Sequence, residues 1–156
     1  MQYWLFKCEP SVYSIDDLAR DKKTSWEGVR NYQARNFLRD QVKKGDLVFF
    51  YHSNAEPPGI FGIAEVVREA YADHFALDPK HKYYDPKSSK DEPIWYMVDV
   101  GFVRKFEHPV TLAMLKDAPE LDDMMVTKRG TRLSIQPVKK SEWETVLKLA
   151  GEKLRV

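Results

Sequence analysis

Four short segments of this 156-residue chain carry side chains suited to holding a planar heterocycle. Lys7-Cys8-Glu9-Pro10 sets a charged pair at the end of an apolar run, and strand alternation turns Lys7 and Glu9 to one side. Ser25-Trp26-Glu27-Gly28-Val29-Arg30-Asn31-Tyr32 places a tryptophan in a polar turn that enters a helix, whose first turn offers free backbone N–H groups. Tyr51-His52-Ser53-Asn54 adds hydrogen-bonding groups after a second apolar run. Arg132-Leu133-Ser134-Ile135-Gln136-Pro137 alternates so that Arg132, Ser134 and Gln136 share a face. A nucleic-acid base taken out of its stack needs an aromatic surface, with donors and acceptors along its edge. These segments contain both. Each residue also has a purely structural reading: Trp26 as a cover over the core, Asn31 as a helix N-cap, Lys7 with Glu9 as a surface ion pair, and Arg132 as the partner of an acidic neighbour.

Patterns for bond-making chemistry are scarcer. There is no GxxxxGK[ST] phosphate loop, no GxSxG elbow and no HExxH pair, and the glycines of PPGIFGIAEV sit in a strand pattern rather than opening a helix. His52, His74, His81 and His108 are scattered without ligand spacing, so no metal and no cofactor are expected. Cys8 with His52 would be a thiol and its base; the structural alternative is a small, half-buried residue ending an edge strand. The enzyme alternative that the residues leave open is a small hydrolase or base-modifying activity with Glu9 or His52 as general base.

Charge narrows the kind of partner. Lys and Arg number 25 against 24 Asp and Glu, a formal net charge of +1. Proteins that grip long duplexes through many phosphates carry a clear basic excess, so affinity for nucleic acid is expected to reside in a compact site. No stretch has the apolar length of a membrane span, and MQYWLFKCEP lacks the layout of a signal peptide. One cysteine allows no internal disulfide. These features lead us to expect a cytoplasmic protein without a membrane partner. No heptad or apolar stripe argues for assembly, so a monomer is expected.

The elements that must position these residues are legible in part. Tyr3 to Lys7 predicts a strand, and Ser14 with Asp17 a capping box opening a short helix to about Arg20. Ala34, Phe37, Leu38 and Gln41 or Val42 recur at helical spacing from Asn31 onward, with Arg35 and Arg39 on a solvated stripe, and Lys43-Lys44-Gly45 stops the helix. LVFFY and IFGIAEVV predict buried strands. Residues 69–93 predict a long functional loop. Ile94 to Phe106 and Arg132 to Val138 predict further strands, Thr111 caps a short helix, and Ser141 with Glu144 opens a last helix whose Trp143, Val146, Leu147 and Ala150 face inward. The fold class is α+β: one domain over residues 1–156, a small mixed β-barrel of five or six strands with short peripheral helices.

Taken together, YWLFKCEPSVYSIDDL, GVRNYQARNFL, KKGDLVFFYHSN, PPGIFGIAEVV, YYDPKS, the Trp95 strand and RLSIQPV followed by EW resemble the EVE domain over essentially the whole chain. Cys8 departs from the serine expected in that family's KSEP pattern. The resemblance implies a PUA-like fold, akin to the YTH domains that read methylated adenine, and binding without catalysis of DNA or RNA bearing a modified cytosine or adenine. It also implies a pocket with Trp26 as stacking platform, Asn31 as edge-reading amide, Lys7, Glu9, His52 and Ser53 as polar wall, Arg132, Ser134 and Gln136 nearby, and Val29, Arg30 and Tyr32 as rim.

Overall fold

The computed structural model describes residues 1–129 and 133–152. Six strands form one mixed sheet: β1 (Tyr3–Cys8), β2 (Lys23–Ser25), β3 (Leu47–His52), β4 (Gly59–Ala72), β5 (Tyr96–Thr111) and β6 (Ile135–Val138), in the order β2-β5-β4-β3-β1-β6. Among the described residues the sheet therefore has two edges, β2 and β6, and is not a closed barrel. Among the described residues four α-helices flank the sheet, α1 (Ile15–Asp21), α2 (Tyr32–Asp40), α3 (Leu112–Asp117) and α4 (Lys140–Leu149), with three short 3-10 turns between them. The α+β class, a count within the five or six strands expected and the short helices agree with the sequence reading, which locates every strand but β2. No described helix is long and apolar enough to cross a membrane.

The sheet separates two apolar clusters, because alternate residues of a strand point to opposite faces. Leu5 of β1 and Leu47, Phe49 and Tyr51 of β3 join Trp143, Val146 and Leu147 of α4 on one side. Trp4 and Phe6 join Val48, Phe50, Ile15 and Leu18 of α1 and Ala34 and Leu38 of α2 on the other. Asp46, only 2% exposed, ties one end of the molecule together by accepting from the Trp4 indole and from the backbone N–H groups of Gln2 and Lys43, each at 2.9 Å.

Local signals held where neighbouring residues decide the outcome. Ser14 Oγ accepts from Asp17 N at 3.1 Å and Asp17 accepts from Ser14 N at 2.9 Å, completing the capping box of α1. Helix α4 starts earlier than Ser141 and Glu144 suggest: it is capped at Lys139, whose N–H donates to Glu142 Oε1 at 2.9 Å. The chain leaves β6 at Val138 and turns at once, so the first carboxylate in reach takes the role. The short strand β2 has no alternation to announce it. Backbone pairing of Lys23–Ser25 with Asp99–Gly101 of β5 creates it.

Candidate functional site

Strands β1 and β3 run parallel, with Lys7 beside Tyr51 and Cys8 beside His52, so both strands finish at the same end of the sheet. Ser53 N–H donates to Cys8 O at 3.0 Å, and Asn54 Nδ2 donates to Glu9 Oε1 at 2.6 Å. The start of β6 reaches the same end, where Lys7 N–H donates to Ser134 O at 2.8 Å. The parallel pair thus gathers three of the four polar segments.

The fourth comes from the β2–α2 connection. Trp26 donates its backbone N–H to Val98 O at 2.7 Å and packs its ring on Phe6 and Phe50, each centroid 5.4 Å away. It is 7% exposed, so it belongs to the α1–α2 side of the core. Glu27 accepts from Ser25 Oγ at 2.8 Å, and its charge is felt at Cys8. Val29 is buried, 4% exposed. Asn31 is exposed and caps α2: its Oδ1 accepts from Ala34 N–H at 3.0 Å, leaving Nδ2 without a bond to any described residue. The cap spends the acceptor and keeps the donors.

Side-chain direction divides the predicted set. Lys7 follows Leu5 to the α4 face, where its ammonium lies 5.7 Å from the Tyr51 ring centroid, and burial lowers its pKa. Gln136 stands opposite Leu5 in register, is 1% exposed, and donates to Leu133 O at 2.8 Å, so it too belongs to that face. Trp26, Cys8 and the His52 ring lie on the other face. Lys7 and Glu9 share a strand end, yet Lys7 and Trp26 lie on opposite sides of the sheet. Arg132 lies outside the described residues.

His52 is 6% exposed and stacks on Phe61 at 4.1 Å. Its Nε2 accepts from the Ile15 backbone N–H at 3.1 Å, so the neutral ring satisfies the first turn of α1 and carries its proton on Nδ1. Burial holds its pKa below the ordinary 6.5; the Asp16 charge opposes this and Lys105 reinforces it. The unfolded chain therefore binds the extra proton first. The contribution is complete above about pH 6.5 and is lost as pH falls toward the depressed folded value. We expect wild type to lose more stability than His52→Gln between pH 7.5 and 5.5, measured by urea unfolding at each pH. Equal losses would show that His52 is not the titrating group.

Cys8 is half-buried, and burial pushes its thiol up to about 11; the Tyr13 backbone opposes this, while Glu9 and Glu27 add to it. A thiol so placed is almost entirely protonated at neutral pH, the reverse of an activated nucleophile. Iodoacetamide should alkylate Cys8 roughly a hundredfold more slowly in the folded protein than in urea, from the thiolate fraction alone. Mass spectrometry of a time course measures this, and equal rates would refute it. Among the described residues no group of three His, Cys, Asp or Glu is placed to hold a metal.

A second network, centred on Asp73, which carried no signal in the sequence, clamps the Trp26–Tyr32 segment in place. Asp73, 2% exposed, accepts from Gly28 N at 3.0 Å, from Arg30 Nη1 at 2.9 Å and, through its other oxygen, from Phe75 N at 3.0 Å. Arg30 Nη2 also donates to Tyr83 O at 2.7 Å, and its guanidinium lies 5.3 Å from the Tyr83 and Trp95 ring centroids. Trp95 donates to Asp85 Oδ2 at 2.6 Å. Gly28 has φ +83° and lies directly under the Tyr83 ring, where a Cβ would stand 2.4 Å from ring carbons, so both conformation and space require glycine. The long loop is thus pinned to the site by Tyr83. Arg35 donates to Ile94 O at 2.8 Å, so the loop engages a side chain expected in solvent.

The profile of the EVE domain family matches residues 2–149. The chain belongs to the EVE domain family. It is similar to thymocyte nuclear protein 1 of Gallus gallus, 45% identical across 97% of this chain and 69% of that protein. Among solved structures it is similar to a Pseudomonas syringae protein, with TM-score 0.92, 45% identity, and coverage of 95% of this chain and 99% of the other. It is also similar to human THYN1 protein in complex with 5-methylcytosine containing DNA, with TM-score 0.89, 42% identity, and coverage of 98% and 99%. Within the EVE fold, Tyr13 and Glu27 join Cys8 and Trp26 beside the β1–β3 end, which sequence alone did not bring out. Glu27 lay within the segment already singled out; Tyr13 carried no signal beyond its nearness to Glu9.

Proposed function

We propose that this EVE domain binds DNA carrying a modified base and holds that base without catalysing a reaction on it. The observation that carries this reading is the likeness, over nearly the whole of both chains, to a relative solved with 5-methylcytosine DNA. The geometry supports it. Trp26 is held rigidly by Phe6 and Phe50 at the end of the sheet where Glu9, Ser53, Asn54 and Glu27 gather, and Asn31 keeps its amide donors available. In this reading Trp26 takes the stacked base, Asn31 reads its edge, and Val29, Arg30 and Tyr32 form the rim. Glu9, His52 and Ser53 line the wall, Ser134 stands beside it at the entry to β6, and Lys7 and Gln136, on the α4 face, lie outside it. Flipping a base costs a few kcal/mol, and stacking at about 1–3 kcal/mol together with edge hydrogen bonds offsets it.

The enzyme alternative rests on Glu9 or His52 as a free base. His52 already spends its accepting nitrogen on Ile15, and Glu9 accepts from Asn54, so neither is arranged around a nucleophile. The reading further takes the chain as a monomer; among the described residues the exposed large apolar side chains are Met1, Val12, Tyr32, Tyr84 and Val103.

Fluorescence anisotropy against matched short DNA and RNA strands, plain or bearing one 5-methylcytosine or N6-methyladenine, tests the reading. We expect binding to a modified DNA strand to be tenfold tighter or better than to its plain counterpart. A modified RNA preferred over modified DNA would transfer the reading to RNA. Equal affinity for every strand would overturn it.

A further inference from the structure

We propose that Tyr32 and the loop that follows β4 form a second stacking platform, which takes the nucleotide flanking the base held at Trp26; this rests on the preceding reading and deepens it. The rings of this region form a continuous ladder. His74 lies 4.3 Å from Phe75, Phe75 lies 4.5 Å from His81, and His81 lies 5.5 Å from Tyr83. The Arg30 guanidinium bridges Tyr83 to Trp95, and Trp95 stacks on Tyr32 at 4.9 Å with 29° between planes. The ladder ends in the open: Tyr32 keeps 58% of its surface exposed although Trp95 and the Arg35 guanidinium, 5.0 Å from its centroid, both lie against it. A tyrosine backed by Trp95 with the Arg35 guanidinium over its ring offers an arriving base aromatic and guanidinium surface together, and bases use both kinds.

Charge on the same loop fits the phosphates of that nucleotide. Lys80, Lys82, Lys87 and Lys90 are exposed, and among the described residues none stands in an ion pair. Of the neighbouring acids, Asp85 accepts from the Trp95 indole and from Lys87 N and Asp78 accepts from Lys80 N, while Asp91 and Glu92 stand exposed beside Lys90, so the lysines act locally rather than through a net positive loop. Tyr32 is also one residue beyond Asn31, so a strand whose base sits between Trp26 and Asn31 passes Tyr32 next. A local platform of this kind gives a nearly neutral protein its grip on a strand without an overall basic charge.

The test is a double-mutant cycle between protein and ligand. Wild type and Tyr32→Ala are titrated with a DNA strand carrying one 5-methylcytosine, and with the same strand made abasic at the two positions flanking it. Tyr32 is a surface residue, and thermal melting confirms that the variant is folded. We expect Tyr32→Ala to weaken binding of the intact strand roughly 5- to 150-fold and to weaken binding of the flank-abasic strand, which has only the rim contact to lose, at least fivefold less. Equal weakening of both strands, or of neither, overturns the proposal. The reading at Trp26 fails separately: if wild type does not distinguish the modified strand from a plain one, yet the intact-strand loss at Tyr32 persists, the platform stands and the modified-base reading falls. If wild type binds no strand, both fall.

Discussion

Trp26→Leu should abolish the preference for modified DNA, while Trp26→Phe should keep it within about tenfold of wild type. The tryptophan has two duties that alanine would remove together. It fills core space against Phe6 and Phe50, and cutting such a ring to alanine costs about 3–5 kcal/mol, enough to threaten a small domain. Leucine and phenylalanine each fill part of that space, so both variants are expected to fold with similarly lowered melting temperatures. Only phenylalanine offers a flat face to a base. The comparison therefore separates packing from stacking: a base stacked on an aromatic ring is worth about 1–3 kcal/mol, roughly a 5- to 150-fold effect on affinity. Anisotropy titrations beside thermal melts read both quantities. If leucine and phenylalanine bind modified DNA alike, Trp26 is core alone and the platform lies elsewhere.

The second large effect is on stability. Asp73→Ala should cost about 3–5 kcal/mol, because its carboxylate is the buried partner of Arg30 and of two backbone N–H groups. Part of the Arg30 loss is softened by water, since that side chain is 22% exposed, but Gly28 N and Phe75 N have no such relief. Asn should be only a modest rescue. Whichever way its amide is turned, an N–H₂ replaces one accepting oxygen and faces a donor. Urea unfolding measures the cost, and limited proteolysis between residues 78 and 93 should quicken as the loop loses its anchor. A loss below about 1 kcal/mol would show that the clamp is not what holds the Trp26–Tyr32 segment.

The balance between sequence and structure can be followed residue by residue. Capping at Ser14 and Asp17, the buried LVFFY strand and the inward face Trp143, Val146, Leu147 and Ala150 were all legible, because each depends on residues within a turn or a strand of one another. Even Asn31 was legible in its structural role, since an N-cap needs only the N–H three residues on. The family, too, is written in short motifs whose order survives along the chain.

Distant pairing decided the rest. Parallel pairing of β1 with β3 brought Cys8 beside His52 and Lys7 beside Tyr51, and alternation then set Lys7 and Trp26 on opposite faces of the sheet. No window of sequence contains both strands, so no periodicity could reveal this. The same holds for Asp73, an ordinary acidic residue in sequence, which becomes the buried anchor of Gly28 and Arg30 across more than forty residues. His52 shows the limit most plainly: its residue type permits a general base, whereas its bond to Ile15 makes it a helix cap. The amino-acid sequence by itself determined the elements, the family and the stock of side chains that a base-binding site needs. Tertiary structure alone decided which of them face one another, because a side chain's hydrogen-bond partner and burial are set by contacts between segments far apart in the chain.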